Sequence, residues 1–144
     1  MIIGDKYISL VKAYFYFLEK EFNYKEKNIT NRKNLFYDIE YQRDDIIISI
    51  SYENREDYLQ VIIFKTKNGV LPNYDDKESA IHLDALNRKI LKHLSSEDFK
   101  ENDRAFSRIL ATDKSENVLL KSAKELRLCL KNINIFENMD FKES

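Results

Sequence analysis

From Tyr37 to Phe64 the large apolar side chains leave helical spacing and fall on alternate positions, in three short runs separated by charged turns. That change of period constrains the fold more than any other feature of the chain. Tyr37, Ile39 and Tyr41 alternate with Asp38 and Glu40, and Ile46, Ile48, Ile50 and Tyr52 set Ser49 and Ser51 on the opposite face. Each run has the length of a strand with one buried and one polar face. The third, Tyr58 to Phe64, is apolar on both faces toward its end, so part of it should be covered on both sides. Arg43-Asp44-Asp45 and Glu53-Asn54-Arg55-Glu56-Asp57 supply turn chemistry. Strands joined by such short turns make an antiparallel meander.

Helical spacing flanks the meander. Ile8, Val11, Phe15, Leu18 and Phe22 predict one helix from Asp5 to Phe22, with Asp5 as its N-cap. The polar stretch from Asn23 to Asn34, with Lys25, Lys27, Arg32 and Lys33, reads as a connecting loop. After the irregular Asn68-Gly69 and Leu71-Pro72-Asn73, helical spacing resumes at Ser79 through Ala80, Leu83, Leu86, Ile90, Leu91 and Leu94, with Asp76 or Ser79 as cap. Ser95-Ser96-Glu97-Asp98 is a start signal for a further segment whose helical face carries Phe106, Ile109 and Leu110. A last helix spans Asp113 to Lys131, ended by Asn132, and Ile135, Phe136 and Phe141 form an apolar tail. The expectation is one α+β domain over residues 1–144: an N-terminal helix, a three-stranded antiparallel meander, then three helices. At 144 residues and 43% hydrophobic content it needs no disulfide or metal staple.

Several chemistries are excluded by what the chain lacks. With Gly4 and Gly69 alone, neither a phosphate-binding loop nor a dinucleotide fingerprint can be written, and no Gly-x-Ser-x-Gly elbow exists. A single cysteine, Cys129, rules out an internal disulfide and a Cys-rich zinc site, and its apolar neighbours mark it as a structural thiol. His82 and His93 are eleven positions apart and outside any His-Glu-x-x-His pattern, so no metal and no cofactor is expected. Two pairings keep a hydrolytic reading open: Asp38 with Glu40, roughly 7 Å apart on one strand face, and a spatial dyad of Cys129 with His82 or His93. The first residues lack a signal-peptide pattern, and no apolar run approaches the roughly 20 residues of a membrane span. A cytoplasmic protein with no membrane contact is expected.

The net charge of -1 hides an uneven distribution. Residues 1–37 carry +3, residues 38–84 carry -6 and residues 85–144 carry +2. The negative charge sits on the meander: Asp38 and Glu40 on its first strand, Asp44 and Asp45 in one turn, Glu53, Glu56 and Asp57 in the next. Carboxylates on the sheet repel phosphate and argue against nucleic acid. Acidic turns also suppress edge-to-edge aggregation. The functional expectation is a partner-binding surface made of these seven residues, steering association with a basic protein. A homodimer pairing its exposed strand across a two-fold axis is the other interaction the pattern allows.

Tyr16-Phe17-Leu18-Glu19-Lys20-Glu21-Phe22-Asn23-Tyr24-Lys25, a strand ending in Glu40-Tyr41, then Ile48-Ser49-Ile50-Ser51-Tyr52-Glu53-Asn54-Arg55 and Leu59-Gln60-Val61-Ile62-Ile63-Phe64 together resemble a group of small bacterial α+β proteins. Some of that group resemble immunity proteins of polymorphic toxin systems. The resemblance covers roughly residues 7–65 and rests on a helix end, a Ser-Tyr-x-x-Arg hairpin and alternating strands. It implies a protein that binds and occludes a basic toxin domain, with no chemistry of its own and no catalytic residue to carry over.

Overall fold

A computed structural model describes residues 2–76 and 78–132. The chain is an α+β domain built on a five-stranded antiparallel sheet whose strands lie in sequence order: β1 (Lys25–Arg32), β2 (Phe36–Arg43), β3 (Ile46–Glu53), β4 (Tyr58–Lys65) and β5 (Ala80–His82). The three expected strands are β2, β3 and β4. β1 was expected as loop. It shows no alternation because it is an edge strand, exposed along nearly its whole length, and its pairing with β2 holds it. Lys33 and Asn34 both take left-handed φ values, 53° and 59°, and the Leu35 N–H donates to the Arg32 carbonyl at 2.9 Å, closing that hairpin.

β5 takes residues assigned above to a helix. Ala80 and Ile81 point to opposite sides of the sheet and are both buried, which extended backbone allows. Helix α3 (Leu83–Ile90) therefore starts after His82, and neither Asp76 nor Ser79 caps it. Asp76 instead accepts from the Glu78 N–H at 3.0 Å within the preceding turn.

The single N-terminal helix is broken into α1 (Gly4–Tyr14) and α2 (Phe17–Lys20). Phe15, Phe17 and Leu18 are all buried while Tyr16 is exposed. One continuous helix turns 100° per residue and cannot aim such a cluster at one core, so the chain kinks at Phe15. Asp5 lies inside the first turn of α1, where its charge suits the helix dipole, and not at the N-cap, which is Ile3. The cap is supplied from across the fold: the Gly4 N–H donates to Asn34 Oδ1 at 3.2 Å. A Cβ on Gly4 would sit 2.7 Å from that oxygen, so the close approach requires glycine.

Ser95 and Asp98 form the expected capping box of α4 (Ser96–Ala105). That helix stops at Ala105; Phe106 is buried beyond it, but Leu110 is 82% exposed and shares no helical face. Helix α5 (Lys114–Lys131) has Asp113 as N-cap and Asn132 as C-cap. Ile135, Phe136 and Phe141 lie outside the described residues.

All these helices sit on one face of the sheet. The main core joins Tyr7, Val11, Phe15, Leu86, Ile90, Leu119, Leu126 and Cys129 to the alternate strand residues Tyr37, Ile39, Tyr41, Ile48, Ile50, Tyr52, Val61 and Ile63. Buried charges on this side are paired. Arg127 forks onto Glu21 at 2.8 and 3.0 Å and donates to Asn102 Oδ1 at 2.8 Å, tying α5 to α4 and to the end of α2. Glu116 accepts from Tyr14, Thr112 and Lys6.

One buried amide joins the N-terminus to two turns. Asn54 Oδ1 accepts from the Ile2 N–H at 3.0 Å, and Asn54 Nδ2 donates to the carbonyls of Ile2 at 2.8 Å and Asn34 at 2.6 Å. The Tyr37 hydroxyl donates to the same Ile2 carbonyl at 2.8 Å. Asn54→Ala leaves several buried polar groups without partners, at about 1–3 kcal/mol each. We expect it to lower unfolding free energy by about 3 kcal/mol or more, read as a shift of the urea midpoint at constant slope.

Candidate functional site

The second face of the sheet carries none of the described helices. Its side chains run across the strands in rows set by the register. One row is Thr30, Asp38, Ser51 and Gln60, and the next is Asn28, Glu40, Ser49, Ile62 and His82. Beyond them Lys25, Gln42, Ile47, Phe64 and Ala80 form a third row, in which Ile47, Phe64 and Ala80 join Ile62 in a small separate apolar cluster. The fourth row, at the opposite end, is Arg32, Phe36, Glu53 and Tyr58. On the central strand Ser51 thus lies between Asp38 and Gln60, and Ser49 between Glu40 and Ile62.

Asp38 and Glu40 are brought together on this face, both half-buried. Asp38 Oδ1 accepts from the Ser49 hydroxyl at 2.6 Å, and Glu40 accepts from Asn28 Nδ2 at 3.1 Å. Burial pushes the Asp38 carboxyl up to about 6, helped by Glu40 and opposed by the Ser49 hydrogen bond and by Arg32. Its close partner is a hydroxyl, not a cation.

The remaining acidic residues divide between the two ends of the sheet. Asp44 and Asp45 form the β2–β3 turn, with Asp44 at a φ of 53° and the Asp45 carbonyl accepting from the Thr66 N–H at 2.7 Å. Glu53 and Glu56 lie at the β3–β4 turn, where the Glu53 carboxylate accepts from the backbone N–H groups of Arg55 and Glu56. The eight residues of β3 separate these turns by about 25 Å. Asp57 turns the other way: it accepts from the Tyr52 hydroxyl, on the helix side. By strand rise Asp38 lies roughly 7 Å from the Glu53 row and roughly 20 Å from Asp44. Asp38, Glu40 and Glu53 are therefore neighbours on this face, with Glu56 in the turn beyond Glu53, while Asp44 and Asp45 lie at the other end and Asp57 belongs with neither group.

In the Cys129–His reading the thiol is otherwise engaged. The Cys129 thiol donates to Asn87 Oδ1 at 3.2 Å, and burial pushes it up to about 12, the opposite of what a nucleophile needs. His82 ends β5 and His93 ends the single 3-10 turn after α3. Among the described residues no three of His, Cys, Asp and Glu gather to hold a metal, and no helix is long and apolar enough to cross a membrane. The sequence reading missed Asn28 and Thr30 as members of the polar rows, because β1 carries a single apolar residue, Ile29, to signal a strand.

No family model, curated protein or solved structure matches the chain.

Because its native state favours the neutral acid, Asp38 contributes stability that is complete below about pH 4 and is lost as pH rises through about 6. Asp38→Asn keeps the acceptor for Ser49 and cannot ionise. We expect the stability of the variant relative to the parent to rise by about 1–2 kcal/mol between pH 4 and pH 7, a figure reduced for partial exposure. Urea denaturation at both pH values measures it, and a pH-independent difference would mean that Asp38 is well solvated.

Proposed function

We propose that this chain is a non-catalytic, cytoplasmic interaction module that binds a basic protein surface on the sheet face that the described helices leave uncovered, in the manner of a toxin-occluding immunity protein. The observation that carries the reading is the one-sidedness of the layers. Every described helix is spent on one face, while the other carries half-buried Asp38, Glu40 and Gln60 over the buried hydroxyls of Ser49 and Ser51, with Glu53 toward one end and the exposed Asp44-Asp45 turn at the other. Asp38 is held there at a cost to stability, and among the described residues it forms a hydrogen bond to Ser49 but no ion pair, so an incoming Lys or Arg would recover that cost. The edge strand argues for this face over strand pairing between copies. Lys25, Lys27, Arg32 and the bulge between Glu26 and Asn28 are the devices that keep β edges apart. A lone thiol suits a reducing compartment.

The test is protection and binding. The protein encoded beside this chain is expressed alone and together with it, and growth and complex formation are followed. The reading expects growth arrest that co-expression relieves. It also expects a Kd weakened by about tenfold or more when Glu40→Lys, Asp44→Lys and Asp45→Lys are combined, with steeper weakening in the parent than in the variant as salt rises. Relief and affinity unchanged by the triple reversal would overturn the acidic face as the binding surface.

A further inference from the structure

On the helix side, away from the partner face, a cavity of about 140 Å³ opens between the start of α5, the start of the chain and the β3–β4 turn. Its inner wall is apolar and aromatic. Tyr7 and Tyr52 meet with ring centroids 5.6 Å apart at 38°, and Ile2, Leu59 and Leu119 close the sides. The Tyr7 hydroxyl is already committed to the Ile50 carbonyl at 3.1 Å, so this wall offers a ligand ring surface and not a free hydroxyl. The rim is polar and accessible, made by Asp57, Lys114 and Ser115, with Val118 45% exposed beside them.

The rim discriminates by charge. Asp57, which lines the cavity, gives one carboxylate oxygen, Oδ1, to the Tyr52 hydroxyl, and its second oxygen, Oδ2, takes part in none of the hydrogen bonds seen among the described residues. Burial, then the hydrogen bond to Asp57, pushes the Tyr52 phenol up to about 12, so it stays a donor and holds Asp57 in place. An ammonium would meet Lys114 and a carboxylate would meet Asp57, so either ion is opposed by one rim group. A hydrocarbon would fill the wall but leave the Asp57 acceptor stripped of water. A void near 150 Å³ accommodates a single six-membered ring, and a convergent polar group at the mouth of an apolar pocket fixes ligand orientation.

We propose that this cavity is a binding site for a neutral monocyclic aromatic bearing one hydroxyl, its ring against Tyr7, Tyr52 and Leu119 and its O–H donated to Asp57. The site stands independently of the partner face, since Asp57 is turned away from it.

The test is an NMR titration of the whole chain with phenol, toluene, benzylamine and benzoate as probes, following the methyls of Leu59, Val118 and Leu119. Phenol should shift them saturably with a Kd of about 1 mM, near what good contacts yield for seven heavy atoms. The other three probes should bind about fivefold more weakly or not at all. Val118→Trp, at an exposed position that tolerates a large side chain, should block the mouth and abolish the shifts. Asp57→Asn retains the left-handed backbone, with its φ of 50°, that asparagine adopts readily. It should weaken phenol by about fivefold and leave toluene unchanged. Absence of saturable shifts, shifts that survive Val118→Trp, or equal affinity for phenol and toluene would each overturn the proposal.

Discussion

The side-chain amide of Asn54 is the point on which the fold turns. It pairs with Ile2 through both its acceptor and its donor, much as a neighbouring strand would, and also reaches the carbonyl of Asn34 in the β1–β2 turn. Its own backbone N–H donates to Leu35 at 2.8 Å. Three pieces of chain distant in sequence are therefore fixed by one residue: the segment before α1, the β1–β2 turn and the β3–β4 turn. Asn34 then caps α1 through the Gly4 N–H, so the direction in which the first helix leaves the sheet follows from the same cluster. Tyr37 completes it, stacking on Tyr7 with centroids 5.2 Å apart, which carries the polar cluster directly into the apolar core. A buried network satisfied at every atom specifies one arrangement, because each alternative leaves groups orphaned.

Fixing α1 in this way decides where every other helix can go. α1 lies on β2 and against α5, and α5 in turn contacts α3 and α4, so the helices form one layer on one side. The side chains that alternate toward them are large, and those that alternate away are Asp38, Glu40, Ser49, Ser51 and Gln60 toward one end and the apolar Ile47, Ile62 and Phe64 toward the other. The two sides treat charge differently. On the helix side Arg127 has Glu21, Glu101 and Asn102, and Glu116 has Lys6, so these charges are consumed in holding elements together. On the sheet side the Asp38 carboxylate accepts from the Ser49 hydroxyl and forms no ion pair among the described residues.

The parts of this architecture that the sequence makes legible are those where a local signal and the tertiary outcome coincide. β2 alternates because one of its faces is buried by helices, β3 and β4 carry their large residues on that same face, and Ser95 and Asp113 cap their helices with atoms only three residues away. The parts that stay hidden depend on partners far along the chain. β1 is a strand because β2 pairs with it, and eight mostly polar residues carry no trace of that. Ala80 and Ile81 fit a helical stripe as well as a short strand, and the free edge of β4 decides between them. The helix break at Phe15 follows from three neighbouring side chains competing for one core. For the candidate face, Asp38 and Glu40 were readable as strand neighbours. Asp57 was not separable from Glu53 and Glu56, because its direction is set by Tyr52 and by its left-handed backbone.

That last point changes the meaning of the acidic segment. Counted along the chain, residues 38–84 form one block of negative charge. Folded, the block is divided by the plane of the sheet, since a strand followed by a tight turn can send neighbouring carboxylates to opposite sides. Asp38 and Glu53 are fifteen positions apart and lie in neighbouring rows of one face, whereas Glu56 and Asp57 are adjacent and part ways. A partner approaching the strands meets Asp38, Glu40 and Glu53 together, while Asp44 and Asp45, roughly 20 Å from Asp38 along the strand, lie beyond the screening length of about 10 Å. Charge counted by segment therefore overstates the target a basic protein would meet. The carboxylates that can act together are those that the register places side by side and the described helices leave uncovered.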